Sequence, residues 1–438
     1  MPPTPPVHVP GDRRRTARIL LASLVGTSVE FYDFYIYATA ASLVFGPLFF
    51  PAASPSAQLL SSYASFGLAF LARPLGGVLF GHFGDRIGRK STLVASLLLM
   101  GGSTAAIAFL PTYATVGWVA PALLCLLRVG QGIGLGGEWS GAALLAVENA
   151  PPGWRGRYGT APQLGAPIGF LAANGFFLLL GTVLDAEQFR AWGWRLPFLA
   201  SALLVGLGLW VRLRLTETPA FAAALARGEP PRVPVLLVLR GHARAAIVGT
   251  LGVVACFALY YIATAFALGY GTTRLGYARQ PFLAAQLGAI LFMAAGIVAA
   301  GWLADRTSER RVLLVGCGAT VLVGALLPAL LGGGSMAGAF AFMALALLAM
   351  GFVYGPLGAW LPSLFPARVR YTGTSLAFNL GGIVGGGLTP ALAQVMAEHG
   401  GLAPVGVYLA GAAVLSTLGL LLARPWREAD GPYPPPEL

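Results

Sequence analysis

The sequence predicts an all-α polytopic membrane protein with twelve transmembrane helices in two pseudo-symmetric six-helix halves. Composition, twelve apolar runs and a loop motif that returns at a fixed offset carry that prediction. Of 438 residues, 57% are hydrophobic and 10% charged, whereas a soluble domain carries about 25% charged residues. The mean hydropathy is +0.75. A helix needs about 20 apolar residues to cross a bilayer. Such runs lie near 18–46, 59–81, 91–110, 117–147, 157–181, 193–214, 244–270, 281–303, 312–332, 336–360, 371–396 and 402–423. GHFGDRIGRK (81–90), after the second run, is echoed by GWLADRTSER (301–310) after the eighth, an offset of 220 residues. After the fourth and tenth runs come RGRYGTAPQLG (155–165) and VRYTGTSLAFNLG (369–381), each a basic loop entering a helix that carries an amide followed by Leu-Gly.

The first run follows Arg13, Arg14 and Arg15 and so mimics a signal peptide. It is too long for one and holds two acids, so it reads as an uncleaved first helix. With the N-terminus inside, the inner segments hold 22 of the 28 basic residues, while the outer loops hold four: Arg190, Arg195, Arg274 and Arg279. The positive-inside rule then places both termini in the cytoplasm. The expected divisions are an N-tail over 1–17, a first half over 18–214, a breaker-rich linker over 215–243, a second half over 244–423 and a C-tail over 424–438.

The formal net charge of +12 is dispersed in short clusters between apolar runs, which argues for topology signals and against a nucleic-acid partner. Cys125, Cys256 and Cys317 fall within apolar runs, and an odd number of thiols there reads as packing. His8, His82, His242 and His399 show no ligand spacing, so no metal is expected. No G-x-x-x-x-G-K-[ST] loop occurs, and no cluster of catalytic polar groups is visible, so neither a cofactor nor an enzymatic activity is expected.

Two carboxylates, Glu30 and Asp33, interrupt the first run within EFYDFYIY (30–37). Charges in a hydrocarbon span are costly, and they usually face a protein interior or a water-filled path. At 1.5 Å rise per residue, Glu30 lies roughly 18 Å and Asp33 roughly 22 Å from the inner side. The same rise puts Glu138 roughly 15 Å deep, Arg128 roughly 30 Å and Arg73 roughly 13 Å. Arg128, Gln131, Leu135 and Glu138 share one helical face by their three- and four-residue steps. In the second half no predicted span interior holds a charge, while Tyr260, Tyr261, Thr264, Gln286, Tyr354 and Asn379 offer aromatic faces and hydrogen bonds.

GHFGDRIGRK fits the G-x-x-x-D-R-x-G-R-K pattern of the major facilitator superfamily. EFYDFYIY, FLARPLGG (70–77), RVGQGIGLGGEWSGAALLAVENAPPGWRGRYG (128–159) and LFPARVRYTGTSLAFNLGGIVGGGLTP (364–390) together resemble its metabolite:proton symporter family, over nearly the whole chain. That family includes carriers of 2-oxoglutarate, citrate, shikimate, and proline or betaine. The chain departs from the pattern at Ser308 and Glu309, where the repeat would have Gly and Arg, and at Ser363, where the family more often has an acid.

The resemblance implies the major facilitator fold and proton-coupled symport of a small organic acid or zwitterion by alternating access. It also implies a bacterial inner-membrane location, with small-molecule substrate, protons and lipid as the partners of a monomer. In that fold spans 1 and 4 line a central cavity, and with helix tilt and the length of an arginine side chain Asp33 and Arg128 stand at compatible heights on it. Either the two form a proton-sensitive pair that couples proton to substrate, with Glu30 and Glu138 as further proton sites, or they are a fixed ion pair between the spans. Glu138 is alternatively a partner of Arg73. Arg128, Gln131, Gln163, Asn174, Tyr260, Tyr261, Thr264, Gln286, Tyr354 and Asn379 are the candidate substrate contacts. Asp85, Arg86, Arg89, Lys90, Glu148, Arg155, Asp305, Arg306 and Arg370 are the candidate cytoplasmic gate, with Glu148 expected to face Arg155. A second reading, efflux antiport of drugs or metabolites, rests on GAPIGF (165–170), a partial likeness to a Gly-Pro-rich efflux motif.

Overall fold

A computed structural model describes residues 11–51, 54–87, 89–213, 234–366 and 369–426. Twelve long helices account for most of them: α1 (Gly11–Ala40), α2 (Pro55–Ile87), α3 (Arg89–Ile107), α4 (Val119–Glu148), α5 (Arg155–Val183), α6 (Leu196–Leu213), α7 (Ala243–Thr273), α8 (Arg279–Arg306), α9 (Glu309–Leu331), α10 (Met336–Leu364), α11 (Arg370–Gly400) and α12 (Leu402–Leu422). Ten of these contain a stretch long and apolar enough to cross a membrane. The other two are α1, which carries the two acids, and α3, whose apolar part is Val94–Ile107. Helices are the expected solution, because a bilayer offers no water to satisfy exposed backbone groups.

Several helices are interrupted where the apolar runs predicted continuity. A π-turn at Ala41–Phe45 carries α1 onward to Gly46–Phe49, and α4 is broken between Leu135 and Glu138. A second π-turn, Ile262–Phe266, sits in α7 at nearly the same point of the repeat, and a third, Ile383–Gly387, in α11. Such turns cluster at functional sites because they redirect side chains and free backbone groups. Part of the expected linker, Pro234–Gly241, is helical and packs on α7, α11 and α2.

Glycines set the helix spacing, and they do so twice. A methyl group added at Gly76 of α2 would meet the Ile133 carbonyl oxygen of α4 at 1.9 Å. In the second set of helices, one at Gly351 of α10 would lie 2.6 Å from the Gly296 Cα of α8. Small residues let backbones touch where lipid provides no hydrophobic drive between helices. Gly76 and Gly296 are 220 residues apart, the offset of the loop motif.

Packing between the first six helices and the last six runs chiefly through α5 against α8 and α2 against α11. Helix α7 is almost wholly buried, so the centre of the bundle is where α1 and α7 face each other.

Candidate substrate cavity and coupling residues

The central cavity has about 430 Å³ of non-atom space, and helices from both halves of the chain line it. Glu30, Phe31, Phe34 and Tyr35 come from α1 and Arg73 from α2. The far wall is made by Tyr260 and Tyr261 of α7, Tyr354 of α10 and Phe378 of α11. Glu30 and Arg73 are 1% and 4% exposed, and the two interact electrostatically. The Arg73 guanidinium is ringed by Phe34, Phe70, Phe257 and Phe378, with centroids 5.3 to 5.9 Å away. A cation boxed by ring faces is held by their quadrupoles and keeps its donors available to a ligand.

Behind Phe34 a smaller cavity is lined by Asp33, Met100, Arg128, Gln131 and Leu135. Arg128 is fully buried, its guanidinium 3.9 Å above the Tyr37 ring. It donates to Gln131 Oε1 at 2.8 Å and to the Phe66 carbonyl at 3.4 Å, and Gln131 donates onward to Thr104 Oγ1 at 2.7 Å. The fixed Asp33–Arg128 ion pair is not made. Neither Asp33 oxygen has a hydrogen-bond partner, and the carboxyl group faces the hydroxyls of Ser201 and Thr104. Depth arithmetic brings the two residues only to compatible heights, and the Arg128 side chain turns instead to Gln131 and the aromatic face of α1.

A third, narrow cavity adjoins the central one beyond Tyr35 and Tyr260, and Thr264 and Gln286 lie on it. Both spend a hydrogen bond on backbone: Thr264 donates to the Tyr260 carbonyl and Gln286 to that of Thr264. Asn174 accepts from Thr39 at 2.6 Å and tethers α5 to α1, away from the cavity lining. Gln163 and Asn379 also stand outside the lining, in bonds that cross between the two halves. Glu138 is buried at the start of the second segment of α4.

The end of the bundle with the 81–87, 155–165, 301–310 and 369–371 segments, here called the basic end, is tied across the halves. Asp305 at the end of α8 accepts from the Gly156 amide at 2.6 Å and the Arg157 amide at 3.2 Å, and pairs with Arg157 Nε at 3.1 Å. A carboxylate there meets the positive end of α5 and its unsatisfied N–H groups. Arg370 pairs with Glu148 at 3.9 Å, and Tyr371 donates to the Gly137 carbonyl. The expected Glu148–Arg155 contact is therefore replaced: Arg370 faces Glu148, Arg155 is exposed, and Arg157 meets the acid of the other half. Arg306 is exposed and stacks over Trp302 at 3.5 Å. The side chains of Asp85, Arg86, Arg89 and Lys90 lie outside the described residues. Ser308, a departure from the repeat, caps α9 by accepting from the Arg311 amide.

At the opposite end the Tyr63 hydroxyl donates to the Ala265 carbonyl at 2.7 Å, and Arg279 stacks over Phe189 at 3.8 Å. Contacts between the halves thus enclose the central cavity from both sides.

The family model described as the Major Facilitator Superfamily matches residues 23–390. The chain belongs to that superfamily. It is 48% identical over 416 residues to the inner membrane metabolite transport protein YhjE of Escherichia coli (strain K12), covering 94% of each chain. It is 38% identical to the shikimate transporter of the same strain, covering 94% of this chain and 95% of that one. It is 32% identical to the proline/betaine transporter of Salmonella typhimurium (strain LT2), covering 88% and 79%. Among solved structures, the proton:xylose symporter XylE bound to 6-bromo-6-deoxy-D-glucose superposes with a TM-score of 0.72 at 18% identity, covering 94% of this chain and 95% of that one. The protein is a multi-pass transporter of the superfamily and not an enzyme.

Within this major facilitator, Arg73 is the cavity residue that the sequence reading left off the candidate substrate contacts. FLARPLGG marks a cation inside an apolar run, a signal equal to that of Arg128. Its direction toward Glu30 and Asn379 depends on how α2 is rotated, which the run does not encode.

Proposed function

We propose that this facilitator imports a small organic acid or zwitterion with protons, by exposing the central cavity alternately to the two sides of the membrane. In this reading residues 18–214 and 244–423 rock as two bodies about the cavity, joined by the 215–243 linker. The observation that carries it is the cavity itself: Arg73 and Glu30 confront each other inside walls of Phe34, Tyr35, Tyr260, Tyr261, Tyr354 and Phe378. A guanidinium suits a substrate carboxylate, and the ring faces suit an apolar or cationic remainder. The relatives named as shikimate and proline/betaine transporters favour that substrate class.

Asp33 is assigned to the proton. It sits one side chain behind the cavity wall, with no ion pair to break when it gains or loses a proton. Phe34 lines both cavities and is the part through which Asp33, Arg128 and the substrate sense one another. The membrane potential adds about 2.3 kcal/mol per charge per 100 mV to such a coupled step.

The glycines behind the efflux reading also serve packing, so they do not by themselves favour export. A methyl group at Gly165 would stand 2.2 Å from Thr27 Oγ1, and one at Gly169 2.7 Å from the Tyr32 amide, so these glycines seat α5 on α1.

Uptake into proteoliposomes under an inward proton gradient tests the proposal, with labelled 2-oxoglutarate, citrate, shikimate, proline and betaine. At least one compound accumulates in the wild type. The Asp33→Asn protein equilibrates the same compound without accumulating it. Accumulation that survives this substitution removes Asp33 from the coupling step, and a panel on which nothing moves removes the import reading.

A further inference from the structure

Two amides, which the repeat places in equivalent positions ahead of Leu-Gly, make matching bonds across the halves. Gln163 of α5 donates to the Tyr354 carbonyl of α10 at 3.0 Å, and Asn379 of α11 donates to the Gly136 carbonyl of α4 at 2.6 Å. Both carbonyls lie where α4 and α10 break, at Gly136 and at Tyr354–Gly355, so each has a lone pair free of the helical ladder.

Each amide is also tied to a second side chain, Asn379 to one that lines the central cavity and Gln163 to one that reaches the lining residue Tyr354. Asn379 Oδ1 accepts from Arg73 Nε at 3.1 Å. Gln163 Oε1 accepts from Trp139 Nε1 at 2.9 Å, and that same indole lies 3.2 Å from the Tyr354 hydroxyl. Between the two amides Trp139 stacks on Phe378, with centroids 3.7 Å apart and 4° between planes. All of these groups are buried, and together they floor the cavity toward the basic end.

We propose that Asn379 and Gln163 are paired latches holding the basic end of the cavity shut, and that a carboxylate binding to Arg73 releases the Asn379 latch by taking its place on the guanidinium. Nε and its neighbouring Nη form the edge that grips a carboxylate in two-point fashion. Asn379 Oδ1 now occupies Nε, so ligand and latch compete for one donor. The released amide loses its hold on the guanidinium while its Nδ2 bond to Gly136 stands alone, and the floor is weakened where the substrate sits. This release step rests on the carboxylate reading of Arg73 above; the latch itself does not.

Ser375 reports on the floor. It lies one turn nearer the basic end on α11, is 1% exposed, and packs on Gly77, where an added methyl would be 3.7 Å from its Cβ. Ser375→Cys, in a background with Cys125, Cys256 and Cys317 replaced by alanine, is labelled with a polar maleimide in nanodiscs, where both faces meet the reagent. Without any substrate, Asn379→Ala speeds labelling at least about fivefold, the population change expected for one net hydrogen bond of the two it removes. Ser62→Cys in the same background, buried at the opposite end next to Tyr63, is labelled no faster with Asn379→Ala than with Asn379 intact. A general loosening of the bundle speeds labelling at both positions, and that result, or no change at Ser375→Cys, overturns the latch. Adding 2-oxoglutarate, citrate or shikimate speeds labelling of Ser375→Cys with Asn379 intact and leaves Asn379→Ala unchanged. If none of the three does so while the two positions diverge as stated, the latch stands and its release by carboxylate is overturned.

Discussion

Arg73 and Arg128 are both buried arginines on the inner faces of neighbouring helices, yet they are held by different means and do different work. Arg73 is ringed at more than 5 Å and bonded to a residue of the other half, so it can be recruited by a ligand. Arg128 is pressed onto Tyr37 at 3.9 Å and locked to Gln131, so it is a fixed positive charge beside Asp33. A planar guanidinium stacks and forks where an ammonium cannot. Arg128→Lys is therefore expected to lower the transport rate about tenfold through loss of about 1–2 kcal/mol of stacking, with the protein still extracted at wild-type yield; initial rates at matched expression check this. Glu30, Asp33 and Arg128 were legible in the sequence because a charge inside an apolar run announces itself. Their pairing was not, because rise along a helix predicts height and leaves rotation open.

Helix ends and helix contacts carry the next level. Asp305 joins α8 to the start of α5 by two backbone amides and one ion pair, all from a single carboxylate. Asp305→Asn removes the charge that the helix terminus and Arg157 both attract, a loss of roughly 1–2 kcal/mol. The expected outcome is a basic end that opens more readily, read as faster labelling of Ser375→Cys with little change in thermal stability. Gly132 is of the other kind. A methyl there would lie 2.3 Å from the Ala69 carbonyl oxygen, and Gly132→Ala is expected to cost about 1–3 kcal/mol of stability by forcing α2 and α4 apart. A drop in the thermal unfolding midpoint in detergent measures it. The sequence displayed the Asp305 motif through its repeat, but it paired Glu148 with Arg155, where the structure sets Arg370 on Glu148 and Arg157 on Asp305. Residues 155 and 157 fall on different sides of a helix turn, and only the docking of α8 selects between them.

For the molecule as a whole, the charge asymmetry makes a sided prediction. Reporter fusions at the N-terminus, in the 81–90 loop and at the C-terminus should all read as cytoplasmic, whereas one inserted near Arg274 should read as external; a split result would overturn the orientation drawn from the 22 inner and four outer basic residues. Contacts between the halves stand at both ends of the central cavity, so alternating access as proposed requires each set to break in turn.

Hydropathy and the 220-residue echo were enough to predict the fold class, and the resemblance of the quoted motifs was enough to point to the family, because those properties are written along the chain and survive without knowledge of any contact. The partners of the buried charges were decided only by tertiary structure. Helix rotation, the breaks in α4 and α10, and the close approach of α2 to α4 at their glycines turned Arg73 to the cavity and Asn379. The same packing withheld Arg128 from Asp33 and set Gln163 and Asn379 as matching bonds between the halves. Azimuth and register arise from side chains meeting in three dimensions, and no one-dimensional period specifies them.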